Sequence, residues 1–421
     1  MPLQKNQVLT LRVERLSSDG SGVAHSPDGE TVFIPGAAPG DEARVRIVKD
    51  CKRYAFGILD EVLTPSPDRI PVDCAVAGPC GGCSLRHLDY AAELRAKQEN
   101  VADAFARIGG LDVPVLPIVG SPEVNRYRNK VQFPVGVDKS GKPCIGFYAG
   151  RTHRIVPCPD CRLQPGVLNE IGNALCAFFA EKGIQPYSEE TGRGLVRHIF
   201  LRRGAHSGQI MVCLVCTRAK LPSAEELCTR LKAQFAEITT ILLNVNAKNT
   251  NVILGTETHT LYGPGYIEDT LCGVPVQLGP LSFYQVNTLA AEQLYGIAAQ
   301  YAQLTPDDLL LDLYCGMGTI GLSMAAHCRE LIGVEIVPEA IESAKANAAR
   351  MGADVAAKSR FFCADAGQAA TRLAAEGLHP DIVMLDPPRK GCDEATLSAV
   401  VRMSPRRVVY VSCNPATAAR D

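Results

Sequence analysis

The sequence predicts an α/β protein whose last third folds as a doubly wound parallel sheet, and three observations carry this prediction. From about residue 281, short runs that are apolar throughout alternate with helical stretches, as in strands covered on both faces. The first 62 residues contain several short strand-like segments. A mixed α+β pattern lies between. For 421 residues we therefore expect three domains, over 1–62, 63–280 and 281–421.

The N-terminal 62 residues alternate charged and apolar side chains between turn signals. QVLTLRVERL, TVFIP and EARVRIV are typical of strands, and Ser18–Gly22 and Gly36–Gly40 of turns. Strands at this spacing predict a small β-barrel, of which the OB type binds oligonucleotides. The proline-rich stretch Thr64–Pro71 predicts a linker, and the pattern over 85–108 predicts a helix, for which we expect packing on the domain 281–421.

Composition and charge exclude several classes of protein. The chain has no uninterrupted apolar run long enough for a membrane span and no secretory h-region. Its 17 cysteines, without an export signal, favour a reducing cytosol, so we expect a cytoplasmic protein; most cysteines, such as Cys213 and Cys216, are expected to fill a buried strand. No obligate protein partner is evident.

Positive charge is concentrated in one segment of a chain whose net charge is −2. Residues 126–224 carry +9 and the remainder −11, and residues 191–224 contain no acidic side chain. This distribution is typical of a polyanion site, with a merely solvated basic surface as the alternative. Within it, Arg126, Arg128 and Lys130 follow the period of a strand, which predicts one basic face that contacts RNA. The alternative is a solvated edge strand.

Five cysteines stand at spacings that suggest metal ligands. Cys74, Cys80 and Cys83 lie within ten residues, and Cys158 and Cys161 form a C-x-x-C pair downstream. Tetrathiolate sites hold iron–sulfur clusters or zinc. Zinc would need a gap between the pairs far longer than a zinc ribbon has, so spacing leaves cluster, zinc and free thiols open.

The predicted parallel strands end in residues suited to a nucleotide ligand, because such sheets bind ligands beyond the carboxyl ends of their strands. The first strand runs into a glycine loop with Gly316 and Gly318. Glu335 ends the second strand, where an acid can accept both ribose hydroxyls, and Asp365 ends the third, beside an adenine edge. NAD and S-adenosylmethionine both satisfy this pattern.

The fourth and fifth strand ends decide between these cofactors. They carry DPPRKG from Asp386 and YVSCNPAT from Tyr410. A proline pair after an acid fixes a rigid loop facing a flat substrate, as base-modifying methyltransferases need and NAD dehydrogenases do not. The alternatives are a helix N-cap for Asp386 and an inert buried thiol for Cys413, but the Asn-Pro after Cys413 disfavours a core position.

DLYCGMGTIG, DPPRKG, YVSCNPAT and SFYQVN at 282–287 together resemble the RNA uracil-5-methyltransferase family, and the N-terminal stretch resembles the TRAM domain of its ribosomal-RNA members. Transfer-RNA members generally lack that domain. The resemblance implies a Rossmann-like class I methyltransferase fold, S-adenosylmethionine as cofactor and 23S rRNA as substrate. The alternatives are a tRNA uracil-5-methyltransferase and a non-catalytic RNA-binding or RNA-folding protein with a vestigial or truncated methyltransferase domain.

Position by position, the resemblance implies roles for individual residues. Cys413 matches the nucleophile that adds to C6 of uracil so that C5 can accept the methyl group. Asp386 would lie between cofactor and uracil, and Cys74, Cys80, Cys83 and Cys161 match the ligands of a [4Fe-4S] cluster. Further cofactor contacts would be Gln285 at the methionine end, Tyr314 as the wall of the first motif, Glu335 at the ribose, and Asp365, Gly316 and Gly318. The family's proton-abstracting Glu follows the cysteine in a motif not found up to Asp421, so we expect a C-terminally truncated sequence.

Overall fold

The computed structural model describes residues 3–421, which fall into two compact units. One unit contains the chain up to Gly120 together with Phe147–Val156, and the other contains Ser121–Gly146 and Pro157–Ala419. Within residues 3–421, no helix combines the length and the hydropathy needed to cross a membrane.

The first unit begins with a closed five-stranded barrel in the order β1-β2-β3-β5-β4. Alternate residues such as Val32, Ile34, Val45 and Ile47 point inward and are fully buried, which is why the period-two pattern of the sequence predicts the barrel. That prediction is confirmed. The strands are β1 Val8–Leu16, β2 Gly22–His25, β3 Thr31–Ile34, β4 Glu42–Asp50 and β5 Tyr54–Thr64.

A single helix follows the barrel, shorter than the stretch 85–108 that the sequence predicts. Helix α1 spans Tyr90–Ala104 and continues as one π-helical turn, Phe105–Gly109. It begins at Tyr90 because the Asp89 side chain caps it, accepting a hydrogen bond from the Ala91 N–H at 2.7 Å. It ends at Gly110, whose φ of 63° lies in the left-handed region.

The middle of the chain forms a seven-stranded sheet in the order β12-β11-β10-β9-β6-β7-β8, beside a separate β13-β14 hairpin. Strand β10 is buried along its whole length, and Cys213 and Cys216 fill core positions as predicted. The strands are β6 Lys130–Val137, β7 Pro143–Tyr148, β8 Ile155–Pro157, β9 Val196–Arg203, β10 Ile210–Cys216, β11 Ile238–Val245, β12 Glu257–Tyr262, β13 Ile267–Leu271 and β14 Val274–Leu278; helices α2 Gly166–Glu181 and α3 Ala224–Gln234 lie between them in sequence.

The apolar run NVILG at 251–255 has the composition of a strand, which would predict one, but it forms a loop. The Asn246 side chain donates to the carbonyls of Val252 (2.6 Å) and Ile253 (2.9 Å), so these groups are not available to a sheet.

The C-terminal part forms a five-stranded parallel sheet in the order β17-β16-β15-β18-β19, which confirms the doubly wound fold. One face packs through Leu310 and Met384, the other through Leu311 and Val383, because successive residues alternate between two cores. The strands are β15 Leu309–Leu313, β16 Glu330–Glu335, β17 Ser359–Cys363, β18 Ile382–Leu385 and β19 Arg407–Tyr410. The helices are α4 Thr288–Ala302, α5 Thr319–Met324 with a 3-10 turn at Ala325–His327, α6 Pro338–Arg350, α7 Ala353–Lys358, α8 Ala366–Ala375, α9 Glu394–Met403 and α10 Pro415–Arg420.

Candidate active site

The loop between β15 and α5 turns through three left-handed residues. Tyr314, Gly316 and Gly318 have φ values of 65°, 55° and 80°. A Cβ on Gly318 would lie 3.2 Å from side-chain atoms of its neighbours, whereas a Cβ on Gly316 would meet no atom within 4 Å. The loop is therefore packed at Gly318 and open at Gly316, which leaves backbone accessible to a ligand at the carboxyl edge of the sheet.

Glu335 is fixed at the end of β16 by three backbone amides. Its Oε2 accepts a hydrogen bond from Gly316 (3.2 Å), and its Oε1 accepts from Ile336 (2.8 Å) and Val337 (3.0 Å). A carboxylate offers about four acceptor sites, of which these amides use three, so Oε2 can still accept a hydrogen bond from one hydroxyl of a ligand.

Tyr314 and Asp365 stand at the same edge. The Tyr314 hydroxyl lies 3.3 Å from Thr396 Oγ1, so its ring packs towards α9. Asp365 caps α8 by accepting from the Gln368 N–H at 3.1 Å. An open cavity of about 590 Å³, lined by Asp365, Gln368 and Asp393 among others, lies against the first turn of α8.

Gln285 precedes α4 and is held through its backbone. Its carbonyl accepts a hydrogen bond from Asn129 Nδ2 at 2.7 Å, and the same amide donates to Thr288 Oγ1 at 2.9 Å. The Gln285 side chain interacts with the hydroxyl of Tyr295, whose pKa burial raises to about 12. Sequence reasoning misses Asn129 and Tyr295; the first lies inside the basic segment, whose charge could have drawn attention to it, and the second carries no motif.

Two buried aspartates belong to the neighbouring strands β15 and β18. Asp386, at the end of β18, has its pKa raised to about 6 by burial. Asp312 on β15 is 1% exposed; burial raises its pKa to about 8, although Oδ2 accepts from the Gly321 N–H at 3.0 Å. Within residues 3–421, Asp312 Oδ1 has no hydrogen-bond partner. The sequence assigns Asp312 no role, although it opens the glycine motif.

Cys413 follows β19 and is exposed. Among the cysteines of residues 3–421, Cys363 and Cys413 are exposed, whereas the others are buried or partly buried. Strands β18 and β19 are parallel neighbours, so Asp386 and Cys413 leave the sheet at adjacent strand ends. Asn414 joins the two loops, because its Nδ2 donates to the Arg389 carbonyl at 3.4 Å and its N–H donates to Ser412 Oγ at 3.1 Å.

The three basic residues predicted on one strand face do not share one, and this prediction is wrong in its geometry. Strand β6 begins only at Lys130, and Arg126 has a left-handed φ of 60°. The Arg126 guanidinium donates to the Cys161 carbonyl (2.7 Å) and pairs with Asp160 (2.8 Å). Arg128 is exposed, and Lys130 is half-buried with its pKa lowered by burial and by neighbouring Arg202 and Arg128.

Part of the acid-free basic stretch is structural. Arg197 and Arg202 on β9 are 5% and 1% exposed. Arg197 Nη1 donates to the carbonyls of Asn246 (3.0 Å) and Lys248 (2.6 Å). These side chains hold loops, so the concentration of positive charge along the sequence overstates the basic surface.

The proposed cluster ligands do not form a ready-made metal site. Within residues 3–421, no group of three or more His, Cys, Asp or Glu side chains is arranged to hold a metal ion. Cys161 is buried, and a hydrogen bond from Cys158 lowers its pKa to about 6. Cys74, Cys80 and Cys83 are partly exposed.

Comparison with known proteins adds two family matches. Residues 207–421 match the family described as tRNA (Uracil-5-)-methyltransferase, and residues 2–59 match the TRAM domain. A protein of Halalkalibacterium halodurans described as an uncharacterized RNA methyltransferase is 42% identical over 421 residues, covering 100% of this chain and 91% of its own length. One of Oceanobacillus iheyensis with the same description is 40% identical over 422 residues, covering 100% and 90%.

Among solved structures, the chain resembles the Pyrococcus abyssi tRNA (uracil-54, C5)-methyltransferase in complex with S-adenosyl-L-homocysteine. The two share 25% sequence identity and superpose with a TM-score of 0.76 over 99% of this chain and 92% of the other. The similarity therefore covers the barrel as well as the parallel sheet.

Proposed function

Because the chain belongs to the uracil-5-methyltransferase family of RNA-modifying enzymes, which use S-adenosylmethionine, we propose that it methylates C5 of a uracil in 23S rRNA through a transient bond between Cys413 and C6. Membership of this family makes it an enzyme and sets aside the alternative of a non-catalytic RNA-binding protein. The observation that carries the covalent step is the exposure of Cys413 at a strand end adjacent to Asp386.

The residues at the carboxyl edge fit the cofactor. Bound S-adenosylmethionine supplies the methyl group as an electrophilic sulfonium. Glu335, held by three amides, keeps one acceptor site on Oε2 for a ribose hydroxyl, and the open backbone at Gly316 allows close approach. The further contacts proposed are Asp365 beside the adenine, Gln285 at the methionine end, and Tyr314 and Gly318 along the first loop.

Cys413 would make C5 of uracil nucleophilic. Its thiolate forms the Sγ–C6 bond while the C5–C6 π electrons move towards O4, giving an enolate whose C5 takes the methyl group. A base then removes the C5 proton, and those electrons re-form the double bond and expel the thiolate. Asp386 would lie between cofactor and uracil, where its carboxylate orients the ring. The base must leave the stack to expose C6 to the sulfur.

RNA containing 5-fluorouridine tests the covalent step independently of the base. C5 then carries fluorine, which cannot leave as a cation, so the adduct persists after methyl transfer. With tritiated cofactor we expect a denaturant-stable, labelled protein–RNA band, absent in Cys413→Ala and present in Cys363→Ala, the other exposed cysteine. An undiminished band in Cys413→Ala would overturn the covalent mechanism.

Two RNA classes remain candidates. The TRAM-type barrel and the cysteines favour ribosomal RNA, as expected from the sequence. Transfer RNA is favoured by the Pyrococcus abyssi tRNA enzyme, which aligns over 99% of this chain, so a barrel alone does not separate the two classes. Incubating the enzyme with 23S rRNA and with total tRNA, followed by nucleoside mass spectrometry, decides: 5-methyluridine in tRNA alone contradicts our proposal.

Arg128 and Lys130 are the proposed RNA contacts of the basic segment. Arg128 is exposed, and Lys130 lies beside Arg128 and Arg202. Both positions leave positive charge available to phosphates. We assign Arg126 a supporting part only, because its guanidinium is engaged by the Cys161 carbonyl and Asp160. Filter binding against salt concentration should show a smaller slope for Arg128→Gln.

A [4Fe-4S] cluster on Cys74, Cys80, Cys83 and Cys161 stays a separate prediction from the family resemblance. Protein purified without oxygen should be brown, with iron and sulfide that Cys80→Ala loses and Cys51→Ala keeps. Purified protein that contains zinc but no iron would support the zinc site and contradict the cluster. Purified protein that contains neither iron nor zinc would show that the four cysteines are free thiols.

A further inference from the structure

Arg202 on β9 is a fully buried cation that donates hydrogen bonds to two backbone carbonyls. It is 1% exposed, and burial lowers its pKa to about 10, so it stays charged at neutral pH. Its Nη1 donates to Gly279 (2.7 Å) and its Nη2 to Ser282 (2.7 Å). Within residues 3–421, its Nε has no hydrogen-bond partner. An apolar side chain would fill such a position without the cost of burying a charge.

The two carbonyls belong to one tight turn that leads into the site. The Gly279 N–H donates to Ser282 Oγ at 3.0 Å, and the Ser282 N–H to the Gly279 carbonyl at 3.3 Å. Leu281, between them, is 63% exposed. The bonds from Arg202 tie this largely uncovered turn to β9, and the buried Tyr284 after the turn donates to Asp269 Oδ2 (3.1 Å) and the Thr270 carbonyl (3.2 Å) on β13.

A second side chain holds the same segment three residues later. Asn129 Nδ2 donates to the Gln285 carbonyl at 2.7 Å. Arg202 and Asn129 lie side by side, because the Arg203 N–H donates to the Asn129 carbonyl at 2.7 Å and Lys130 pairs with Arg202 across β6 and β9. The segment from Gly279 to Gln285 is thus fastened at both ends to neighbouring positions of one sheet.

We propose that Arg202 is a positioning residue that holds the turn at 279–282 so that Gln285 is presented to the cofactor in a fixed place. The proposal rests on the proposed function only in taking Gln285 as a cofactor contact. Arg202 itself touches neither cofactor nor RNA. Its guanidinium fork holds the two carbonyls through separate nitrogens, and its charge strengthens both hydrogen bonds.

The chain provides a matched control on the same strand. Arg197 is also buried, and it also donates to two loop carbonyls, those of Asn246 and Lys248. That loop does not lead to Gln285. Arg197→Met and Arg202→Met therefore remove the same kind of contact, and only the second should affect the cofactor.

Because the chain contains no tryptophan, Leu281→Trp places a single tryptophan in the turn, which can be excited selectively over the tyrosines. In this background we expect Arg202→Met to increase the fast component of the anisotropy decay and to weaken S-adenosylmethionine binding, measured by calorimetry, about tenfold. Arg202→Lys should fall between, since an ammonium can hold one carbonyl well but not the pair. Arg197→Met should change neither.

If Arg202→Met and Arg197→Met have the same anisotropy decay and the same affinity for S-adenosylmethionine, the proposal is overturned and Arg202 is a structural residue. If Arg202→Met does not fold, Arg202→Lys carries the test, and an unchanged anisotropy decay and cofactor affinity in that variant counts against us. If the wild-type chain binds no S-adenosylmethionine, the proposed function fails, whereas the anisotropy comparison in the Leu281→Trp background still decides whether Arg202 holds the turn.

Discussion

The carboxylate of Glu335 accepts a hydrogen bond from the amide of Gly316 at 3.2 Å, which joins the ends of the adjacent strands β16 and β15. With the amides of Ile336 and Val337, three donors point at one carboxylate. This arrangement fixes the acid that we place at the ribose, and it makes the glycine loop and the acid one unit rather than two separate contacts.

Replacing Glu335 by Gln should weaken S-adenosylmethionine binding about 10- to 100-fold, because hydrogen bonds to a charged group contribute about 1.5–3 kcal/mol. The amide removes the charge and turns an NH₂ donor towards backbone donors. Calorimetric titration measures the effect, with Glu339→Gln on the exposed first turn of α6 as the control. Equal affinities in the two variants would contradict the assignment.

The loss of methyl-transfer rate at acidic pH should reflect protonation of Asp386. Burial raises the pKa of this carboxyl to about 6, so it is ionised at neutral pH and becomes protonated as the pH falls below that value. If the carboxylate orients uracil, single-turnover methyl transfer should fall to half near pH 6. Asp386→Asn should be slow and lack this loss of rate at acidic pH. The same loss in the Asn variant would assign it to another group.

In the first unit, Asp41 and Arg69 form a buried ion pair that should matter for folding. Arg69 Nη2 lies 2.7 Å from Asp41 Oδ2, and the side chains are 20% and 0% exposed. Asp41→Asn leaves the arginine without its charge partner and should cost about 3–5 kcal/mol of unfolding free energy. Urea titration checks this. Glu61→Gln, which breaks the exposed Arg44–Glu61 pair of the same barrel, should cost under about 1 kcal/mol.

The pH dependence of this contribution has a definite sign. Burial alone would raise the pKa of Asp41, but hydrogen bonds from Arg69, Ala38 and Ser66 outweigh it and hold the pKa below its ordinary value. A depressed pKa in the folded state means that the stabilisation is present above the unfolded-state pKa and is lost as the pH falls through the folded-state value. The stability difference between wild type and Asp41→Asn should therefore shrink in acid.

The sequence predicts the elements whose signal is local. The fully apolar runs at β10 and β15 and the glycines after β15 each report a constraint on their own residues, namely burial on two faces or a left-handed backbone. The barrel follows from alternation alone. For the same reason, the order of strands and helices along the chain is enough to place the strand ends that carry Glu335, Asp386 and Cys413 at one edge of the sheet.

The sequence does not predict features decided by distant groups. Arg126 reads as part of a basic strand, but the Cys161 carbonyl and Asp160 draw its guanidinium into a loop. Arg202 lies in the acid-free stretch 191–224 that predicts a polyanion site, yet it is buried and donates to two carbonyls that lie 77 and 80 residues away in the sequence. The periodicity of a sequence indicates on which face of its own helix or strand a residue lies. It gives no information about a hydrogen-bond partner in another element.

Two glycines of the first motif should respond differently to Ala, because they are needed for different physical reasons. At Gly321 a Cβ would lie 2.8 Å from both Asp312 Oδ2 and Leu331 Cδ1, so Gly321→Ala should cost about 1–3 kcal/mol through overpacking. At Gly316 a Cβ meets nothing within 4 Å, but φ is 55°, so Gly316→Ala should cost about 1 kcal/mol of strain. Because Gly316 also lies on the open side of the loop, its variant should lose more cofactor affinity than stability.

Thermal unfolding with and without S-adenosylmethionine separates the loss of stability from the loss of cofactor affinity. The cofactor should raise the unfolding temperature of Gly321→Ala as much as that of the wild type, and that of Gly316→Ala much less. Equal stabilisation of both variants would mean that the ligand does not approach the backbone at Gly316.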